Sequence, residues 1–222
     1  QVNEAAEYRK QQQTADLWTA AFFWHIEDPK AASYGIVAPT NGQLRRLRSG
    51  NQVLAGLLEQ VEKLRKSEKF FHWPLEFAEV ASQGGFNCVL GNPPWDRIKL
   101  QEEEFFAIRE PKITAAVNKS ARQKLINELN SSNPELARDF LEAKHGTEAT
   151  SKFIRQSSRY KLSNIGDVNT YALFTEQVRN SLDSNGYAGI IIPTGIATDD
   201  TLKDFFADLM QTDSLVNLTG FE

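Results

Sequence analysis

The sequence predicts an α/β fold: a largely parallel sheet flanked by helices, with helices ahead of it and a helical insertion within it. Three observations predict this. Two short apolar runs, Phe86–Leu90 and Tyr187–Ile192, each run into a proline-bearing exit, as buried strands do. Between them lies a helical pattern, with Tyr171, Leu173, Phe174, Val178 and Leu182 on or near one face. A third strand-like run, Leu215–Thr219, follows a stretch that Asp199 or Asp200 can cap as a helix to about Met210. Strand, helix, strand, helix, strand is the order of a parallel sheet with crossover helices.

The elements follow in chain order. Ala5 to Trp24 is rich in Ala and Gln and ends in Phe22-Phe23-Trp24, which predicts a helix that packs its C-terminal half into a core. Asp28-Pro29 and Tyr34-Gly35 mark a loop. A second helix starts near Thr40 or Asn41, either of which can cap it. Its apolar side is Leu44, Leu47, Leu54, Leu57, Leu58, Val61 and Leu64, weakened by Gly50 and Gly56. Phe70–Leu75 is aromatic and broken by Pro74, and Gly84-Gly85 is a turn into the first strand. That strand runs into Gly91-Asn92-Pro93-Pro94-Trp95. Prolines donate no ladder hydrogen bond, so the chain must leave the sheet at the strand's C-terminal end. In α/β sheets ligands bind at that edge. From Glu102 to Lys161 the pattern is helical and charged. Asn133-Pro134 breaks it, and Glu102-Glu103-Glu104 suits a helix N-terminus. Ser184-Asn185-Gly186 ends the next helix. The division is a helical segment at 1–80 and an α/β domain at 81–222, with the insertion at about 101–161.

Length and charge bound the function. The 222 residues suit one domain, or a domain with a satellite. No apolar run is long enough to cross a bilayer, and nothing near Gln1 resembles a secretory signal. With Gln1 first and a strand-like run just before Glu222, the sequence is expected to be a piece of a longer protein. A single cysteine, Cys88, excludes an internal disulfide framework and fits a reducing cytoplasm. His25, His72 and His145 are too scattered to propose a metal site. The net charge of −4 is distributed unevenly. Thr40–His72 holds 7 Lys and Arg against 3 acids, Arg109–Lys161 holds 11 against 6, and Leu162–Glu222 holds 2 against 9. A phosphate-facing surface, if there is one, belongs to the first two stretches; a solvated helix face has the same composition.

Asn92-Pro93-Pro94-Trp95 carries the chemistry. An exocyclic amino nitrogen on adenine is a poor nucleophile, because its lone pair is delocalised into the ring. Acceptors around its two hydrogens favour a more tetrahedral nitrogen. The Asn92 side-chain oxygen supplies one acceptor. The Pro93 carbonyl, held stiffly by proline geometry, supplies the second. Trp95 offers a flat face to a base swung out of the duplex, a stacking contact worth about 1–3 kcal/mol per base. A methyl group delivered in line from a sulfonium donor would need no covalent enzyme intermediate. Cys88, four positions before Asn92, is expected to be a buried structural residue of the strand, not a thiolate nucleophile.

Asn-Pro-Pro followed by an aromatic, after an apolar strand, is similar to the signature of amino-methyltransferases with a Rossmann-like fold. The Asn-Pro-Pro-Tyr form also occurs in RNA and protein-glutamine methyltransferases. Phe71–Phe77, Gly85–Trp95, Gly166–Glu176 and Gly186–Ile196 resemble, in order and spacing, the large methylase of type IIG restriction–modification systems, over roughly Phe70 to Glu222. Similar methylases serve in phage-defence islands. The resemblance implies a partial Rossmann-like class I methyltransferase core and S-adenosylmethionine as cofactor. It further implies double-stranded DNA with a flipped adenine as substrate, and other restriction–modification or defence subunits as partners.

By the same resemblance, Asn92, Pro93, Pro94 and Trp95 are catalytic, and Asn92 and Phe174 flank the cofactor. Trp95, Tyr171, Pro193 and Thr194 line the substrate pocket, although Tyr171 and Phe174 also read as core aromatics. Arg97, Lys99, Lys119, Arg122 and Lys124 are candidates for the DNA backbone. The sequence departs from that pattern twice. Asn87 stands where an Asp is usual, and the family's Gly-rich, acid-flanked cofactor loop is absent, since Gly84-Gly85 lies on the wrong side of the strand. The chain is therefore expected to hold the catalytic tetrapeptide without the whole cofactor site. A DNA-binding or assembly module without turnover is the reading from a different class.

Overall fold

The computed structural model describes residues 2–25 and 37–220, with side chains from Glu4 onward. The loop expected at Asp28-Pro29 and Tyr34-Gly35 lies outside them. Among the described residues five helices come first: α1 (Val2–Phe23), α2 (Asn41–Arg48), α3 (Ala55–Ser67), α4 (Trp73–Glu76) and α5 (Ala78–Ser82). Strand β1 (Phe86–Gly91) follows, then α6 (Glu102–Phe106), α7 (Pro111–Thr114), α8 (Lys119–Ser132) and α9 (Pro134–Gln156). The chain continues through α10 (Thr170–Ser181), β2 (Leu182–Ile190) and α11 (Gly195–Thr198). A 3-10 turn at Asp200–Leu202 leads into α12 (Lys203–Gln211). The chain divides into two compact units, residues 1–97 with 152–222, and residues 98–151.

In the first unit α1, α2 and α3 enclose a core of Leu17, Ala20, Trp24, Leu44, Leu47, Leu57 and Val61. As expected, the C-terminal half of α1 is the buried half. Thr40 caps α2 through a reciprocal box: its hydroxyl accepts from the Gln43 N–H at 3.3 Å, and the Gln43 side chain accepts from the Thr40 N–H at 2.7 Å. The single helix expected from Thr40 to Leu64 is two helices. The chain breaks at Gly50, whose φ of +76° is easy only for glycine. Beyond α3, Phe71, Trp73, Phe77 and Phe86 pack ring on ring, with centroids 5.3 to 6.2 Å apart. They anchor α4 and α5 to the start of β1.

Among the described residues the sheet has two parallel strands, β1 and β2, in register from Cys88↔Tyr187 to Gly91↔Ile190. The turn signal at Ser184-Asn185-Gly186 is realised as an irregularity in β2, where the Asn185 N–H donates to the Asp183 carboxylate at 2.9 Å. Two predicted features are corrected. Leu215–Thr219 forms no strand and Val216 is 78 % exposed, because alternation of side chains supplies no ladder partner. Cys88, expected to be buried, is exposed, because that stretch of β1 lies uncovered.

The two strands approach at glycines. A Cβ on Gly186 would lie 2.4 Å from the Phe86 carbonyl oxygen, and one on Gly85 would lie 2.5 Å from the Leu182 backbone carbon. Neither neighbour is a flexible side-chain tip. Gly186→Ala is expected to destabilise the protein by about 1–3 kcal/mol, read as a lower urea midpoint. An unchanged midpoint would show that the strands tolerate separation.

The second unit is helical. Phe106, Ile113, Ile126, Leu129, Leu136, Ala137 and Phe140 form its core. Asn118 caps α8 by accepting from the Ala121 N–H at 2.9 Å. Asn133 stops α8, and its side chain accepts from the Leu136 N–H at 3.2 Å in the first turn of α9, so the Asn-Pro break lies where the sequence places it. Helix α9 continues past Ser151 into the first unit.

Candidate active site at the end of the parallel strands

Because β1 and β2 are parallel neighbours, their exit loops leave from the same end. Gly91 pairs with Ile190, and the Ile191 N–H donates to the Gly91 carbonyl at 3.0 Å. Asn92–Trp95 and Ile191–Thr194 therefore both leave the sheet from this end. Asn92 is exposed, and its side chain makes no hydrogen bond among the described residues. Trp95 is 51 % exposed, an unusual placement for an indole that has apolar packing available elsewhere. The loop thus carries the Asn92 amide, the Pro93 carbonyl and a half-exposed Trp95 within four residues.

One residue that the sequence reading missed fixes the loop. Thr170, the first residue of α10, donates its hydroxyl to the Pro94 carbonyl at 2.7 Å and accepts from the Asp96 N–H at 2.9 Å. Its own N–H donates to the Asp96 carbonyl at 2.9 Å, and Arg97 bridges to Asn169. The start of α10 therefore clasps both sides of Trp95. The sequence signal was an Asn-Thr pair at a helix start, which reads as a cap, yet Asn169 makes no side-chain capping bond.

The other predicted residues divide by helix face. Tyr171 is 3 % exposed and packs in a core with Ala172, Ile196, Leu202 and Phe205. Burial raises the pKa of its hydroxyl, and Asp199 beside it adds to the rise. Phe174 lies one turn after Thr170, on the same face of α10, and is 41 % exposed.

The basic candidates differ among themselves. Arg97, Lys99, Lys119 and Lys124 are exposed. Arg122 is engaged within its own unit: Nε meets Glu102 at 3.0 Å and Nη1 meets Glu103 at 2.6 Å. Those carboxylates, Glu103 first, raise its pKa and neutralise its charge. Among the described residues no helix is long and apolar enough to cross a membrane.

Residues 40–143 match the family described as Eco57I restriction-modification methylase. The match begins at the Thr40 cap, upstream of the Phe70 from which the resemblance was read, and ends at Ala143. It spans β1, the tetrapeptide and the helical segment after it, so that segment is part of what the two share. Neither the curated proteins nor the solved structures gave a match.

Proposed function

We propose that the chain is the catalytic part of a site-specific DNA methyltransferase of a restriction–modification or phage-defence system, transferring a methyl group to the N6 amino group of adenine. The observation that carries this reading is Asn92-Pro93-Pro94-Trp95 at the C-terminal end of β1, open beside the exit of β2 and clasped by Thr170. The similarity of residues 40–143, which include the tetrapeptide, to a restriction-modification methylase supports it.

In this reading the Asn92 amide oxygen and the Pro93 carbonyl accept the two amino hydrogens. Trp95 stacks on the flipped base, and Pro193 and Thr194 form the adjoining wall. Thr170 is a positioning residue: it holds the Pro94 carbonyl, and so fixes where the Pro93 carbonyl points. S-adenosylmethionine, when bound, supplies a methyl group on an electron-poor sulfur. Asn92 and Phe174 are the residues of this chain that fit along its flank, and the Gly-rich, acid-flanked loop is not among them.

The reading is tested by expressing the full-length protein in a host that lacks adenine methylation and mapping modified bases in its DNA. N6-methyladenine at a defined site is the expected result; its absence from a soluble, well-expressed protein would overturn the reading. Thr170→Val is expected to lower kcat on the order of tenfold to a hundredfold by loosening the loop, while Thr170→Ser restores most of it. If kcat is equal in the wild type and the valine variant, the clasp has no part in the reaction.

The exposed lysines of the second unit are proposed to meet DNA phosphates. Lys119→Glu with Lys124→Glu is expected to weaken DNA binding and reduce the slope of log affinity against log salt, by about one for each phosphate no longer neutralised. An unchanged slope would remove these residues from the interface. Arg122, engaged by Glu102 and Glu103, is left out of that test.

A further inference from the structure

The helical part of the first unit holds a cleft of about 650 Å³ that contains none of the residues assigned above. That is the size of a small-molecule site. One side is a stripe of α1, from Glu7 and Lys10 through Thr14 to Trp18, residues three and four apart on one helix face. Pro74 and Leu75 supply an apolar wall, and buried His72 closes it, held by Asp16 at 2.8 Å.

Three cations line this cleft: Lys10, Arg48 and Arg159. Among the described residues none of the three has an ion-pair partner. Elsewhere in this unit cations pair with acids, as Arg65 does with Glu62 and Arg179 with Asp208. The carboxylate on the lining, Glu7, accepts instead from the Gln11 amide at 3.1 Å. The lining thus carries three positive charges against the one negative charge of Glu7.

Arg159 is placed, not free. Helix α9 ends at Gln156, Ser158 takes a left-handed φ of +61°, and the Arg159 N–H donates to Ser157 Oγ at 3.3 Å. Its guanidinium then lies 5.2 Å from the Trp18 ring centroid and 5.9 Å from that of Phe153. The two rings hold the guanidinium at the cleft while the side chain stays exposed, so its N–H groups remain open to a phosphate.

We propose that this cleft binds an organic phosphate of nucleotide size, with the phosphates on Lys10, Arg48 and Arg159 and the apolar body against Pro74 and Leu75. The ligand is distinct from the methyl donor and the target base, and the site does not depend on the function proposed above.

The test is calorimetric titration of the full-length protein with ATP, inorganic tripolyphosphate, S-adenosylhomocysteine and a short DNA duplex. The expected result is saturable one-to-one binding of ATP that S-adenosylhomocysteine does not displace. Arg48→Glu and Arg159→Glu should each weaken ATP at least about tenfold, equivalent to about 1.4 kcal/mol, with unchanged circular dichroism. Four outcomes overturn the proposal. ATP fails to bind at millimolar concentration; both variants bind ATP as the wild type does; tripolyphosphate binds as tightly as ATP, which makes the cleft an anion site only; or the duplex displaces ATP, which makes it a path for nucleic acid.

Discussion

Asn92→Ala in the full-length protein is expected to lower methyl transfer to adenine by at least about a hundredfold, the scale for removing one preorganised group from a reacting centre. On the proposed function the loss falls on kcat, because the amide oxygen is useful only when the amino nitrogen becomes tetrahedral and its hydrogens need acceptors. Stability should not change, within about 0.5 kcal/mol. Asn92 is exposed and its side chain makes no hydrogen bond among the described residues, so truncation orphans nothing. Trp95→Ala makes the contrast. It removes a stacking face, so it should raise KM for DNA more than it lowers kcat, by about 1–3 kcal/mol of binding. Single-turnover rates and unfolding midpoints on the same preparations separate the two. Full activity in Asn92→Ala would remove the tetrapeptide from the chemistry, whatever base the protein modifies.

The tetrapeptide was legible in the sequence because its constraint is local. Two prolines after an apolar strand forbid further pairing, so the exit at Gly91 needs no knowledge of the fold. The Thr40 capping box and the Asn133-Pro134 break are local in the same way. What the sequence hid depends on distant neighbours. Thr170 clasps residues 74 and 76 positions away, and nothing near it announces that its hydroxyl faces Pro94. Arg122 has the composition of a DNA-backbone candidate, and only the fold shows Glu102 and Glu103, 20 and 19 positions back, holding it. Cys88 and Leu215–Thr219 erred in the opposite direction. Both had the composition of buried strand, and burial needs a covering layer or a paired edge that composition does not provide.

Glu176→Ala is expected to be the most destabilising of these substitutions, by about 3 kcal/mol or more. The Glu176 carboxylate is 3 % exposed and lies on α10 facing the loop before it. One oxygen accepts from the Lys161 N–H at 2.8 Å and the Leu162 N–H at 3.2 Å. The other accepts from the Ser163 N–H at 3.0 Å and the Ser163 hydroxyl at 2.6 Å. Removing the carboxylate leaves three backbone donors and a buried hydroxyl without an acceptor, and each unsatisfied buried donor costs about 1–3 kcal/mol. Against a total stability of about 5–15 kcal/mol this is a large fraction. Glu176→Gln keeps the shape and one oxygen, and should lose less. Urea unfolding measures the cost, and hydrogen exchange at residues 161–163 locates it, since these amides exchange slowly only while the carboxylate holds them. A wild-type midpoint in the alanine variant would mean that water replaces the carboxylate without penalty. Because α10 also carries Thr170, activity lost through Glu176 should follow the folded fraction and return on cooling. Activity lost through Asn92 should not, and that difference separates the residue that holds the helix from the one proposed to act at the amino nitrogen.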